Sequence, residues 1–136
     1  MNGPPFAGAA PAQVSVPVLA LGDILLVTLQ GELHDGAAER LQQDITERIA
    51  ASTVAGVVID ISGVDIVDSF LGRVLAEIAS STRLLAARTV VAGMRPAVAI
   101  TLAELGLTLP GLATALNAER AMGLLASRDA AVGEGV

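Results

Sequence analysis

Gly56-Val57-Val58-Ile59-Asp60-Ile61-Ser62-Gly63-Val64-Asp65-Ile66-Val67-Asp68-Ser69-Phe70-Leu71-Gly72-Arg73 is the stretch on which the fold turns. Val57–Ile61 is a short β-branched run bounded by Gly56 and Gly63, the pattern of a central strand covered on both faces. From Ser69 to about Leu85 the spacing predicts a helix. Phe70, Leu71, Val74, Leu75, Ile78 and Leu85 point one way, and Arg73, Glu77, Ser80 and Ser81 point another. Between strand and helix lies an acidic turn with Asp65 and Asp68. The arrangement presents one hydroxyl, that of Ser69, beside two carboxylates and no base. That suits a serine modified by another protein better than a serine that performs catalysis. On local sequence alone Ser69 also reads as an ordinary helix N-cap.

Working outward, Val16–Leu21 and Ile24–Leu29 read as two strands of a hairpin turned at Gly22-Asp23. Gly31-Glu32-Leu33-His34-Asp35-Gly36 is a turn. A helix from about Ala37 to Ala50 carries Leu41, Ile45 and Ile49 on one face and Glu39, Gln42, Gln43, Glu47 and Arg48 on the other, with Asp35 as its expected N-cap. After the central helix come a strand at Thr89–Ala92 and a turn at Gly93-Met94-Arg95-Pro96, with Pro96 suited to a first helical position. The helix that follows runs through Leu105 and ends at Gly106. A last short strand at Ala113–Leu116 leads to a helix capped by Asn117 and running to about Ser127. Strands alternating with helices give an α/β fold: one domain, a mixed and mostly parallel sheet, packed helices and an antiparallel hairpin at the N-terminal edge. The domain is expected over residues 15–128. Residues 1–14, rich in Pro, Gly and Ala, are expected to be a disordered extension, and 129–136 a frayed tail.

The chain has 136 residues, of which 53% are apolar and 16% charged, so a packed core is expected. Phe6 and Phe70 are the only aromatic residues, which makes that core aliphatic. The apolar surplus points to burial against copies of the chain or a partner. A net charge of −6 with no cluster of arginines disfavours nucleic acid and anionic membranes. Without cysteine there is no disulfide and no thiolate metal site, and without lysine Gly31, Gly36 and Gly63 form no Walker-type nucleotide site. His34 is the only histidine, and spacing assembles neither a serine triad nor a zinc site around it; a surface turn suits it better. No cofactor or metal is expected. The N-terminus lacks the basic start of a signal peptide, and no apolar run reaches membrane-spanning length, so a cytoplasmic location is expected.

The strand Val57–Ile61, the Gly-x-Asp-x-x-Asp-Ser of Gly63 to Ser69, and Gly72 in the helix behind it resemble the STAS domain of anti-sigma-factor antagonists and sulfate-transporter tails. The resemblance spans roughly residues 16–126. A second stretch, Val90-Val91-Ala92-Gly93-Met94-Arg95-Pro96-Ala97-Val98-Ala99-Ile100-Thr101-Leu102-Ala103-Glu104-Leu105-Gly106, is similar to the stressosome branch and to its small single-domain antagonists of the RsbS kind. The resemblance implies a non-catalytic regulator whose Ser69 is phosphorylated by a switch serine kinase of the RsbT kind. Unphosphorylated antagonist holds the kinase and phosphorylated antagonist releases it. It also implies pairing and stacking with a sensor-bearing paralogue of the RsbR kind. Asp68 would present the serine to the kinase, on a partner-binding surface with Asp65, Phe70, Gly72 and Arg73. Larger relatives carry a second modified threonine near Thr101; here that hydroxyl also reads as a helix residue bonded to its own backbone. Arg95 is read first as a structural residue that places its helix. The resemblance does not cover residues 1–14.

Other functions remain for comparison. A direct anti-anti-sigma factor that captures an anti-sigma kinase shares the fold. A hydrolase built on Ser69, Asp68 and His34 lacks a Gly-x-Ser-x-Gly elbow. A transporter tail would need a preceding membrane segment.

A serine where a helix begins suits a switch for electrostatic reasons. Unpaired backbone N–H groups and a partial positive charge favour a phosphate there, so modification alters the surface without unfolding the domain. A phosphate brings up to about −2 charge next to Asp68 and Asp65. One unit charge about 5 Å from a like charge on a partner costs roughly 3 kcal/mol at an effective dielectric of 20 and about 1 kcal/mol in water. That is about five- to hundred-fold in affinity, enough to break a modest complex.

Overall fold

Leucine- and valine-rich runs on either side of Gly22-Asp23 open the sheet. The computed structural model describes residues 16–106 and 112–135, so the expected extension at 1–14 lies outside the described residues. Strand β1 (Val18–Leu21) pairs antiparallel with β2 (Ile24–Gln30), placing Val18 opposite Val27 and Leu21 opposite Ile24. Helix α1 (Asp35–Ala51) crosses back to β3 (Gly56–Gly63), which lies parallel to β2. Helix α2 (Ser69–Leu84) leads to β4 (Arg88–Ala92), and α3 (Pro96–Glu104) leads toward β5 (Leu112–Ala115), both strands parallel to their neighbours. Helix α4 (Ala118–Gly135) closes the described chain. The strand order is β1-β2-β3-β4-β5, the mixed sheet with an antiparallel edge that the alternation of elements implied.

The period-two alternation of side chains divides the sheet into two faces. On one, Val27, Leu29, Val57, Ile59, Ile61 and Val91 meet Leu41 and Ile45 of α1, Val74, Leu75 and Ile78 of α2, and Val98 and Leu102 of α3. On the other, Ile24, Val58 and Val90 meet Ala121 and Leu125 of α4. Val57, Val58 and Ile59 are fully buried, as a strand covered on both sides requires. The second layer sits very close. A Cβ on Gly56 would fall 2.6 Å from a Leu125 methyl carbon and 3.0 Å from the Arg88 carbonyl oxygen, so this position has no room for a side chain. A hydroxyl pair bonded at 2.6 Å, Thr82 with Thr89, joins the end of α2 to β4 inside the core.

Several details differ from the sequence reading, among them β1, which begins at Val18 and not at Val16. The N-cap of α1 is His34, with no side-chain bond, and Asp35 is the first helical residue. There its carboxylate faces the positive end of the helix dipole without capping it. Strand β5 begins and ends one residue earlier than expected. Helix α4 continues past Ser127 to Gly135. The expected caps elsewhere are present: Pro96 occupies the first turn of α3, and the Asn117 side chain accepts from the Arg120 N–H at 2.8 Å.

The apolar surplus is visible on the surface. Leu19, Leu21, Ile66, Leu84, Ile100, Leu105 and Leu116 are exposed. Leu19 and Leu21 stand on the sheet face shared with Ile24 and Leu26, beside the ground that α4 covers.

Candidate functional site

Because β2, β3 and β4 run parallel, the loops after them emerge at one edge of the sheet, where ligands and partners of open α/β sheets commonly bind. The loop after β3 is tightly held. The Val64 N–H donates to the Ile61 carbonyl at 3.0 Å, and Val64 is buried. The Ser62 N–H donates to the Asp60 carboxylate at 2.9 Å. Gly93 of the next loop, at φ +75°, lies against this turn, and a Cβ there would fall 2.8 Å from Ser62 Cβ.

Asp68, not Ser69, is the N-cap of α2. Its carboxylate accepts from the Leu71 N–H at 3.0 Å, and its carbonyl accepts from Gly72 at 3.2 Å. With the cap supplied by Asp68, Ser69 is left as the first helical residue, exposed, and its hydroxyl makes no hydrogen bond among the described residues. The capping interpretation of Ser69 is thereby removed. Arg73, one turn further along α2, is exposed on the same face as Ser69. Below it Glu77 accepts from the Gln42 amide at 3.0 Å, which ties this face to α1.

The other site residues take distinct places. Asp65 is 82% exposed and forms an ion pair with Arg95. The same guanidinium donates to the Val64 carbonyl, so one side chain from the start of α3 clamps the loop that carries Ser69. Arg95 was expected to place its own helix; its side chain makes no cap bond there and instead braces the neighbouring loop, a contact that no local pattern reveals. Phe70 is half-buried and packs against the main core. Ile66, which sequence reading passed over, is the apolar side chain that this loop exposes, at 84%. Gly72 is buried within α2 and shapes the surface only through the helix. The Thr101 hydroxyl donates to the Ala97 carbonyl at 3.0 Å, the backbone-bonded state. No hydrogen bond joins His34, Asp68 and Ser69 among the described residues, and those residues contain no cluster of three metal-ligating side chains.

Between the loop after β2 and the loop after β3 runs a groove of about 840 Å³. Val16, Leu29, Leu33, Val64 and Phe70 give it an apolar wall, while His34, Arg40, Asp65 and Asp68 give it polar edges. Sequence reading did not find it, because its two walls are more than twenty residues apart in the chain.

The comparisons with known proteins agree with this geometry. A chain from the structure of the stressosome, described as a signal integration and transduction hub, is 40% identical and superposes with a TM-score of 0.74 over 83% of this chain and 98% of its own. A variant of Moorella thermoacetica RsbS with glutamate in place of a serine is 38% identical, with a TM-score of 0.74 over 84% of this chain and 97% of that one. Among curated relatives, the RsbT co-antagonist protein RsbRD of Bacillus subtilis is 30% identical over 111 residues, 81% of this chain but 40% of that protein. The chain thus spans about two fifths of the length of that relative. No described helix is long and apolar enough to cross a membrane. The family model described as STAS domain matches residues 15–112, a span that holds strands β1 to β4, the clamped serine loop and the helices on the main face of the sheet, and with that match this chain belongs to the STAS-domain family.

Proposed function

We propose that this chain is a non-catalytic regulatory subunit of a stressosome-type assembly. In it, a switch serine kinase of the RsbT kind is held while Ser69 is unmodified and released once Ser69 is phosphorylated. One observation carries the proposal: the Ser69 hydroxyl is exposed and, among the described residues, unbonded at the first position of a helix whose cap is already supplied by Asp68. A phosphate there meets the positive end of α2 without displacing a cap. Asp65, Asp68, Ile66 and Arg73 form the docking surface around it, with Phe70 and Gly72 supporting it from behind. The similarity to RsbS and to RsbT co-antagonists supports the choice of kinase, and an RsbR-like paralogue as assembly partner in the cytoplasm. The exposed leucines and isoleucines are apolar surface that self-assembly or paralogue contacts would bury.

The test is direct. Incubation with the kinase and ATP is expected to place one phosphate on Ser69, read by mass spectrometry, and to weaken kinase binding at least tenfold by calorimetry. Modification confined to Thr101, or equal kinase affinity before and after modification of Ser69, would remove the proposal. Size-exclusion chromatography with the paralogue is expected to give a very large particle. A small complex formed with an anti-sigma kinase instead would favour a direct anti-anti-sigma factor.

A further inference from the structure

Arg73 stands apart from the other charged side chains near Ser69. It is exposed on α2, and among the described residues its guanidinium makes no hydrogen bond or ion pair. Its acidic neighbour one turn along, Glu77, already accepts from the Gln42 amide of α1 at 3.0 Å. Asp65 is paired with Arg95, whose guanidinium also donates to the Val64 carbonyl. The Asp68 carboxylate accepts from the Leu71 N–H at 3.0 Å. Arg40 and His34 lie at the start of α1, in the wall of the groove that Asp68 also lines. Ser69 is the first residue of α2, and Arg73 follows four residues later. Side chains at that spacing share one helix face, with Cβ atoms about 5–6 Å apart. Every Cα–Cβ bond of a helix tilts toward its N-terminus, so a long side chain covers the turn before its own Cα. Ser69 is thus within the span of Arg73.

We propose that the Arg73 guanidinium captures the phosphate once Ser69 is modified, and that this capture takes from the docking surface a cation read by an acidic side chain of the kinase. Arginine offers two parallel N–H donors to two phosphate oxygens, a planar match that lysine lacks. A phosphoserine carries about −1.5 to −2 charge at neutral pH, more than the single charge of Glu77 on the other side of Arg73. No bond of the loop or of the helix end has to break, since Asp65, Asp68 and Arg95 keep their partners. Phosphorylation then acts twice on the same surface: it adds negative charge and it withdraws a positive one. The capture deepens the function proposed above and rests on Ser69 being the modified residue.

The capture is tested without a kinase, on the full chain with phosphoserine installed genetically at position 69. Its phosphorus resonance is followed against pH, because a nearby cation favours the dianion and lowers the titration midpoint. Arg73→Gln is expected to raise that midpoint by about 0.3 pH unit or more. Arg73→Lys is expected to keep about half of the difference, and Arg40→Gln to leave the midpoint in place. Arg73 is exposed, so both of its variants are expected to fold, checked by an unchanged melting temperature. A midpoint unmoved by Arg73→Gln, or moved further by Arg40→Gln, overturns the capture. The withdrawal is read by calorimetry with the kinase. Arg73→Gln is expected to weaken binding of the unmodified protein roughly three- to tenfold and to leave the phosphoprotein within about twofold. Equal losses in the two forms overturn the withdrawal, since Arg73 would then still be free after modification. An unmodified protein that binds as tightly without Arg73 overturns it as well. A kinase that binds the chain but phosphorylates another residue would count against the proposed function and leave the capture standing.

Discussion

The loop that follows β3 and the turn that follows β4 leave neighbouring parallel strands at the same edge of the sheet, yet they treat their hydroxyl groups in opposite ways. After β3 a side-chain cap, Asp68, occupies the helix end and leaves the Ser69 hydroxyl exposed and without a bond among the described residues. After β4 the helix begins at Pro96 with no side-chain cap, and Thr101 donates to Ala97 in its own helix. The turn after β4 spends its polar side chain on its neighbour, since Arg95 clamps Val64 and Asp65. One loop presents a group and the other braces the presenter. The stretch from Val90 to Gly106 thus matters to Ser69 although it lies more than twenty residues away in sequence.

The sharpest way to break this comparison is to delete the presented group. Ser69→Ala is expected to abolish phosphate incorporation, more than a hundredfold in rate, while kinase binding and melting temperature stay as in the wild type. Ser69→Asp is expected to weaken kinase binding at least fivefold in the same calorimetric titration. Next in size is Gly93→Ala. A Cβ meeting Ser62 Cβ at 2.8 Å, on a backbone at φ +75°, should cost about 1–3 kcal/mol in a urea titration. Asp68→Ala removes a cap and should cost about 1 kcal/mol. It should also slow phosphorylation of Ser69 more than that instability explains. Arg95→Ala breaks a half-exposed clamp, so its stability cost is expected at about 1 kcal/mol or less. If the turn after β4 braces the serine loop, the same substitution slows Ser69 phosphorylation several-fold. Thr101→Val should be the smallest, within about 0.5 kcal/mol and with no effect on Ser69. A large effect of Thr101→Val on kinase release would erase the distinction between the two loops.

Much of the sheet was legible because its strands carry β-branched runs bounded by glycine, and its helices carry apolar residues at three- and four-residue spacing. Val57–Ile61 and the face of Leu41, Ile45 and Ile49 are examples, and both are buried where the period places them. The place of Ser69 at the mouth of a helix was legible for the same reason. Its freedom from the capping role was not, because aspartate and serine are almost equally good caps and two of them stand side by side. That Phe70 is half-buried while Ile66 is exposed was hidden as well. A helix period says which face is apolar, but Phe70 lies at its first turn and Ile66 in an aperiodic loop, where burial is decided by tertiary packing. The Arg95 clamp and the groove join segments more than twenty residues apart, which no local pattern encodes.

The clamped loop has a consequence in time. It is pinned at Val64, Asp65 and Asp68, and the hydroxyl beyond them stands clear of every one of those bonds. A phosphate on Ser69 would then find nothing to rearrange. The interval between the chemical event and the departure of a partner would be set by dissociation alone, and the persistence of the altered state by whichever phosphatase removes the group. On that view the protein keeps no memory of its own.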